Sequence, residues 1–144
     1  MRVEVGDWQT LCNDACCVRH DVFVVEQKVP AEIELDAHDA LCVHAVAYDE
    51  SGRAIGTGRL VPDAHIGRMA VLRVYRGQGV GSLLLERLIH EARLRGYPEV
   101  LLSAQVHAQA FYERHGFVPE GALYLDAGIQ HRLMRLSLGP RPGS

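Results

Sequence analysis

Residues 66–82 read Ile-Gly-Arg-Met-Ala-Val-Leu-Arg-Val-Tyr-Arg-Gly-Gln-Gly-Val-Gly-Ser. The apolar run predicts a strand over His65–Leu72, and the Arg-Gly-rich stretch predicts a loop that opens directly into a helix over about 79–95. That helix puts Val80, Leu84, Leu85, Leu88, Ile89 and Ala92 on one face and Glu86, Arg87, Glu91 and Arg93 on the other, and Gly96 stops it. The first N–H groups of a helix lack intrahelical partners, and the macrodipole adds positive potential there. With Arg76 alongside, such a loop suits phosphate. Gly77, Gly79 and Gly81 carry no Cβ to hold a pyrophosphate off the backbone. A plain tight turn is the other reading of alternating glycines; the flanking strand and helix favour phosphate.

Spacing separates the phosphate binders. The third glycine falls one residue early for a dinucleotide fingerprint, and no acidic residue ends a second strand at the required distance. No Lys-Ser/Thr pair follows, which excludes a nucleoside-triphosphate loop. Arg76, Gly79 and Gly81, with Gln78, Val80 and Ser82 between and after them, instead resemble the acyl-CoA pyrophosphate loop of the GNAT N-acetyltransferase superfamily. Ala104-Gln-Val-His-Ala-Gln-Ala-Phe-Tyr-Glu-Arg-His-Gly-Phe117 resembles the next motif of that superfamily, a strand end and short helix carrying Phe111-Tyr112 and closed by Gly116-Phe117. The N-terminal half adds Val22-Phe-Val-Val-Glu-Gln-Lys-Val-Pro30, Glu34-Leu-Asp36 and Asp39, and Gly128-Ile-Gln-His131 comes near the end. Together these resemble the ElaA/YjcF-like branch of the superfamily, over about residues 15–138.

Around these motifs the chain predicts a strand at 2–5 and a helical region at 8–25 with apolar Leu11, Ala15, Val18, Val22 and Val25. Pro30 ends that region, and 28–40 forms an acidic loop. Strands at Leu41–Tyr48 and Ala54–Val61 flank a hairpin signal at 49–53. A strand at Val100–Ala104, a helix over about 106–115 and closing strands near 117–125 and 131–138 complete the order. The expected fold is an α/β domain of the GNAT type, with a mixed, mostly antiparallel sheet flanked by helices. One domain is expected over 1–138, followed by a flexible tail at 139–144 whose Gly and Pro residues sustain no regular structure.

Composition narrows the classes. The chain has 144 residues, 48% hydrophobic, enough for one ordinary core. A net charge of −3 offers no basic surface for nucleic acid. No apolar run reaches the roughly 18 residues of a membrane span, and the N-terminus is unlike a signal peptide. Cys12, Cys16, Cys17 and Cys42 form no metal or disulfide spacing, so buried reduced thiols in a cytoplasmic protein are expected. Asp36, His38 and Asp39 make no compact His/Cys set, and no metal is expected.

The resemblance implies acetyl-CoA as co-substrate and a primary amine, small-molecule or peptide, as acceptor, with direct transfer in a ternary complex; homodimers are compatible with it. It lays the main-chain groups of Met69, Ala70 and Val71 against the pantetheine arm and the loop 76–82 against the pyrophosphate, with Phe111 alongside. Gln105 stands where many members have Asn, and its amide offers similar hydrogen bonds from a longer stem. Tyr112 is the candidate general acid for the departing thiolate, since a phenol titrating near about 10 is protonated at neutral pH; packing against the sheet is the alternative. On that assignment turnover declines toward about pH 10. His65 is the candidate base, or a surface histidine at a strand start, and His131 is the other contender for the base, or a residue that only hydrogen-bonds the core. Glu26, Gln27, Asp39 and His131 are candidates for the acceptor site: an acidic lip would attract a cationic amine, whereas a solvated loop is the plain alternative. The competing reading of the whole is a non-catalytic acyl-CoA sensor or interaction module.

Overall fold

Asp7 begins the first helix: its carboxylate accepts a 2.8 Å hydrogen bond from the Thr10 N–H, which satisfies an otherwise orphaned donor. The computed structural model describes residues 1–30 and 37–139. Strand β1 (Arg2–Gly6) precedes helix α1 (Trp8–Arg19), which passes into a π-helical segment at His20–Glu26. A short 3-10 turn at Ala37–Leu41 leads to β2 (Val43–Tyr48), β3 (Ala54–Leu60) and β4 (His65–Val71). After a 3-10 turn at Arg73–Tyr75 come α2 (Val80–Leu94), β5 (Glu99–Gln105), α3 (Gln109–Arg114), β6 (Val118–Asp126) and β7 (Ile129–Ser137). The seven strands form one sheet in the order β1-β2-β3-β4-β5-β7-β6. Every neighbouring pair is antiparallel except β4–β5. This is the mixed, mostly antiparallel sheet that the motifs predict, in the expected element order.

Strand β2 is covered on both faces, as alternation requires. Val46 and Tyr48 pack with Leu11 and Ala15 of α1, while Ala45 and Ala47 join the main core with Leu84, Leu85 and Leu88 of α2. Each of those three leucines is fully buried and contributes about 1.5–3 kcal/mol of hydrophobic stabilisation. The predicted apolar faces of both helices are therefore the ones used, with one exception. Val25 is exposed, not buried. The π segment contains the β-branched Val22, Val24 and Val25, which are poor α-helix formers. Its wider turn, marked by the Gln27 N–H donating to the Val22 carbonyl at 3.0 Å, rotates Val25 off the core face.

Two further expectations need correction. The cysteines are free thiols, but of the four Cys42 alone is buried; Cys12 and Cys16 are half-buried and Cys17 is exposed, because the helix buries Leu11, Ala15 and Val18 instead. Asp39 does not sit on an acidic lip. It is buried, and its carboxylate accepts two hydrogen bonds from Arg19 (2.8 and 3.1 Å) and one from Arg59 (2.8 Å). Burial raises its pKa, but the hydrogen bonds and charges of Arg19 and then Arg59 outweigh that and hold it below the usual carboxylate range. The Asp39 carbonyl also accepts from His44 Nε2 at 2.9 Å. A buried ion cluster at that point ties the 3-10 turn to α1 and β3. Glu34 and Asp36, also assigned to the acidic stretch, lie outside the described residues, as does the tail beyond Gly139.

Candidate active site

Strands β4 and β5 run side by side for only two residue pairs, His65–Leu101 and Ile66–Leu102, and then part. A β-bulge accompanies the parting. The β3–β4 register slips between Thr57 and Arg59, and Arg68 adopts a left-handed φ of 50°. Beyond the bulge the Leu72 N–H donates to the Ile55 carbonyl at 2.9 Å. By the alternation of an antiparallel ladder, the main chain of Ala70 also faces β3, whereas that of Val71, and of Met69 two residues earlier, faces the gap. Met69, Ala70 and Val71, the residues expected beside the pantetheine arm, all line this gap, and the methyl of Ala70 is buried in the core.

The gap widens into a cleft of about 1120 Å³. One end is the glycine loop. Gly77 and Gly79 have φ of 78° and 84°, and a Cβ at either would meet no protein atom. Glycine permits the left-handed turn there and leaves the space in front of it open. Gly81 is a different case: its Cβ would lie 3.3 Å from the Phe111 ring, so the first turn of α2 and α3 approach through it. Ser82 is fixed by a 3.0 Å hydrogen bond between its hydroxyl and His115 Nε2. Tyr75, just before the loop, donates a 2.7 Å hydrogen bond to Asp49 in the β2–β3 turn, which anchors the loop to the sheet. The Gln78 side chain turns back to the Val74 carbonyl (3.2 Å) and does not line the cleft.

Two side chains of the N-terminal region reach across. Arg76 donates from Nε to the Val71 carbonyl (2.9 Å) and from both Nη atoms to Glu26 (2.8 Å each). The Arg76 hydrogen bond, together with the Arg76 and Arg73 charges, holds the Glu26 carboxyl below its ordinary range. Gln27 and Gln105 exchange two amide hydrogen bonds of 3.2 and 2.9 Å. Glu26 and Gln27 both line the cleft, but in this state their polar atoms are engaged with the loop and with β5.

The same cleft carries three further titratable groups that the sequence singles out. Tyr112 lines it from α3, nine-tenths buried, between Phe111 and Phe117, and burial pushes its phenol up to about 12. Among the described residues no group hydrogen-bonds its hydroxyl. His65 lines the cleft at the start of β4, its Nδ1 3.0 Å from Asp63 Oδ1, a contact that fixes the ring and leaves Nε2 for other use. His131 enters from β7, its Nδ1 2.7 Å from the Ile129 carbonyl and its ring stacked 6.1 Å from Tyr124. The Tyr124 hydroxyl is hydrogen-bonded to Ser103 of β5.

The chain matches the acetyltransferase (GNAT) domain over residues 12–138. It belongs to the GNAT acetyltransferase family. A Bacillus subtilis protein, the uncharacterized N-acetyltransferase YjcF, is 36% identical over 93% of this chain and 98% of that protein. An acyl-CoA N-acyltransferase from Pseudomonas aeruginosa superposes with a TM-score of 0.82 at 33% identity, covering 93% of this chain and 97% of that one. Escherichia coli ElaA gives a TM-score of 0.84 at 26% identity, covering 94% and 99%. These relatives bear out the ElaA/YjcF-like branch. As a GNAT protein the chain carries an acyl-CoA fold, and the parted strands, glycine loop and Phe111-Tyr112 pair occupy one continuous cleft.

The cleft of this GNAT chain also contains residues that the sequence did not mark as candidates for the site. Val22, Phe23 and Val29 form an apolar wall, and Arg59, Arg68 and Arg114 bring charge to the lining. Arg59 and Arg68 lie within apolar strands, and a charge inside an apolar run is the signal that could have marked them. Among the described residues no group of three or more His, Cys, Asp or Glu could hold a metal ion, and no helix is long and apolar enough to cross a membrane.

Proposed function

We propose that the protein is an acetyl-CoA-dependent N-acetyltransferase that acts on a primary amine by direct transfer in a ternary complex, in the cytoplasm. The observation that carries the reading is Tyr112. It is a protonated phenol, buried in the same cleft as a glycine loop suited to a diphosphate. In this reading Gly77, Gly79 and the start of α2 hold the diphosphate, and Arg76 adds a cation. The gap-facing main chain of Met69 and Val71 orients the amide-bearing arm, and Gln105 and Phe111 flank it.

The amine nitrogen adds to the thioester carbonyl, the tetrahedral intermediate collapses with cleavage of the C–S bond, the Tyr112 hydroxyl supplies the proton to the thiolate, and the second proton lost by the amine nitrogen restores the phenol. His65, oriented by Asp63, accepts the proton from the incoming ammonium, directly or through water. The acceptor enters beside His131 and the β6–β7 turn. No cysteine lines the cleft among the described residues, which favours direct transfer over a covalent acyl-enzyme.

The test is calorimetry with acetyl-CoA followed by a panel of amines with detection of released thiol. Micromolar to millimolar binding with amine-dependent thiol release supports the reading. No binding at millimolar acetyl-CoA overturns it, and binding without turnover on any amine class turns it toward a sensor.

A further inference from the structure

The guanidinium that faces the glycine loop is already claimed by an anion of the protein itself. Glu26 engages both Nη atoms of Arg76 at 2.8 Å in the forked geometry a phosphate would use, and Arg73 lies 3.7 Å from the same carboxylate. The next residue repeats the pattern with a neutral group. The Gln27 amide closes a two-way hydrogen-bonded pair with Gln105 on the strand that borders the gap. Both residues sit at the C-terminal end of the π segment, where the widened turn aims them into the cleft rather than along a continued α1. One short segment thus offers a carboxylate to the cation and an amide to the amide, which are the two polar features an acyl-CoA brings to the same partners.

We propose that Glu26 is a built-in competitor for the acyl donor's diphosphate, holding Arg76 in the unliganded protein and releasing it, with the Gln27–Gln105 pair, as the donor binds. The inference rests on the reading of residues 76–82 as a diphosphate cradle. A carboxylate fixed on Arg76 opposes a diphosphate by occupying the donors that the diphosphate would use. Arg76 and Glu26 are partly exposed, with side chains 40% and 25% accessible, so their bond is breakable at modest cost. The contact therefore sets donor affinity and does not block the site. On this assignment Glu26 does not serve the acceptor amine.

The experiment is calorimetric titration of the full chain with CoA, comparing wild type, Glu26→Gln and Glu26→Ala, each also in an Arg76→Gln background, with thermal melts to establish folding. Glu26→Gln keeps the shape of the side chain and should tighten CoA binding roughly three- to tenfold. Glu26→Ala should do the same, and in the Arg76→Gln background either change should alter affinity by less than about twofold. Equal or weaker CoA binding by folded Glu26→Gln and Glu26→Ala overturns the proposal, because it makes Glu26 a support that preorganises Arg76. Tightening that persists without Arg76 overturns it as well. Failure of wild type and variants alike to bind CoA would instead overturn the diphosphate cradle and the inference built on it.

Discussion

The rings of Phe111 and Tyr112 meet edge to face, with centroids 5.1 Å apart and planes at 76°. Phe117 holds the other side of Tyr112 in the same manner at 6.0 Å. The phenol is therefore oriented by ring packing, and its hydroxyl is left to the cleft. Tyr112→Phe removes that hydroxyl and keeps the packing. Acetyl-CoA affinity should stay within a few-fold while turnover falls by about 10²–10⁴. Full turnover in the mutant would return Tyr112 to the core.

The pH profile follows from the burial of that phenol. Turnover should rise as the amine and its base lose protons. The decline expected toward pH 10 from an ordinary tyrosine is displaced, since the Tyr112 phenol is pushed up to about 12. Wild type should hold its rate through pH 10, measured as kcat with stopped thiol detection. A Tyr112-dependent fall centred near pH 10 would mean that the phenol is solvated in the working enzyme.

Gly79 and Gly81 should respond differently to substitution. At Gly79 a side chain meets open space, so Gly79→Leu costs only the strain of a left-handed φ, about 1 kcal/mol. It should nevertheless abolish detectable CoA binding by calorimetry, since the side chain fills the space in front of the loop. At Gly81 a side chain presses on Phe111. Gly81→Leu should lower the melting temperature and disturb Tyr112, which appears as lost turnover as well as lost affinity.

Asp39 supplies a prediction about stability. Asp39→Asn removes a counter-charge that the buried Arg19 and Arg59 share, which lowers stability in denaturant unfolding by up to about 3–5 kcal/mol. The folded carboxyl has a depressed pKa. Its contribution is therefore fully present above the unfolded value of about 3.9 and is lost as pH falls through the folded value. Wild type should lose stability on acidification below about pH 4 more steeply than Asp39→Asn. Parallel acid limbs would place the carboxylate outside the cluster.

What the sequence revealed and what it hid divide along the range of the interactions. Local signals were legible: the strand–loop–helix at 65–95, the turn at 49–53 and the Phe111-Tyr112 helix each depend on neighbours within a few residues. Asp39 was not legible, because an aspartate in an acidic stretch reads as solvated until Arg19 and Arg59, each twenty residues away, are folded onto it. Glu26 and Gln27 were recognised as cleft residues but with other partners in view. Their actual partners, Arg76 and Gln105, are 50 and 78 residues distant. The π segment escaped because apolar spacing alone does not distinguish a turn of 3.6 residues from a wider one.

The brief contact between β4 and β5 makes the sheet resemble a book. One leaf is β1-β2-β3-β4 and the other is β5-β7-β6, and the spine along which they are bound is the stretch from His65 to Ile66 against Leu101 and Leu102. The angle between the leaves decides how far Tyr112, at the end of one, stands from the β4 main chain at the end of the other. Ile66, Leu102 and Met134 are buried where that angle is set. Trimming Met134, which does not line the cleft, should thus reach the reacting atoms through the binding, showing as a raised KM at a position away from the substrate.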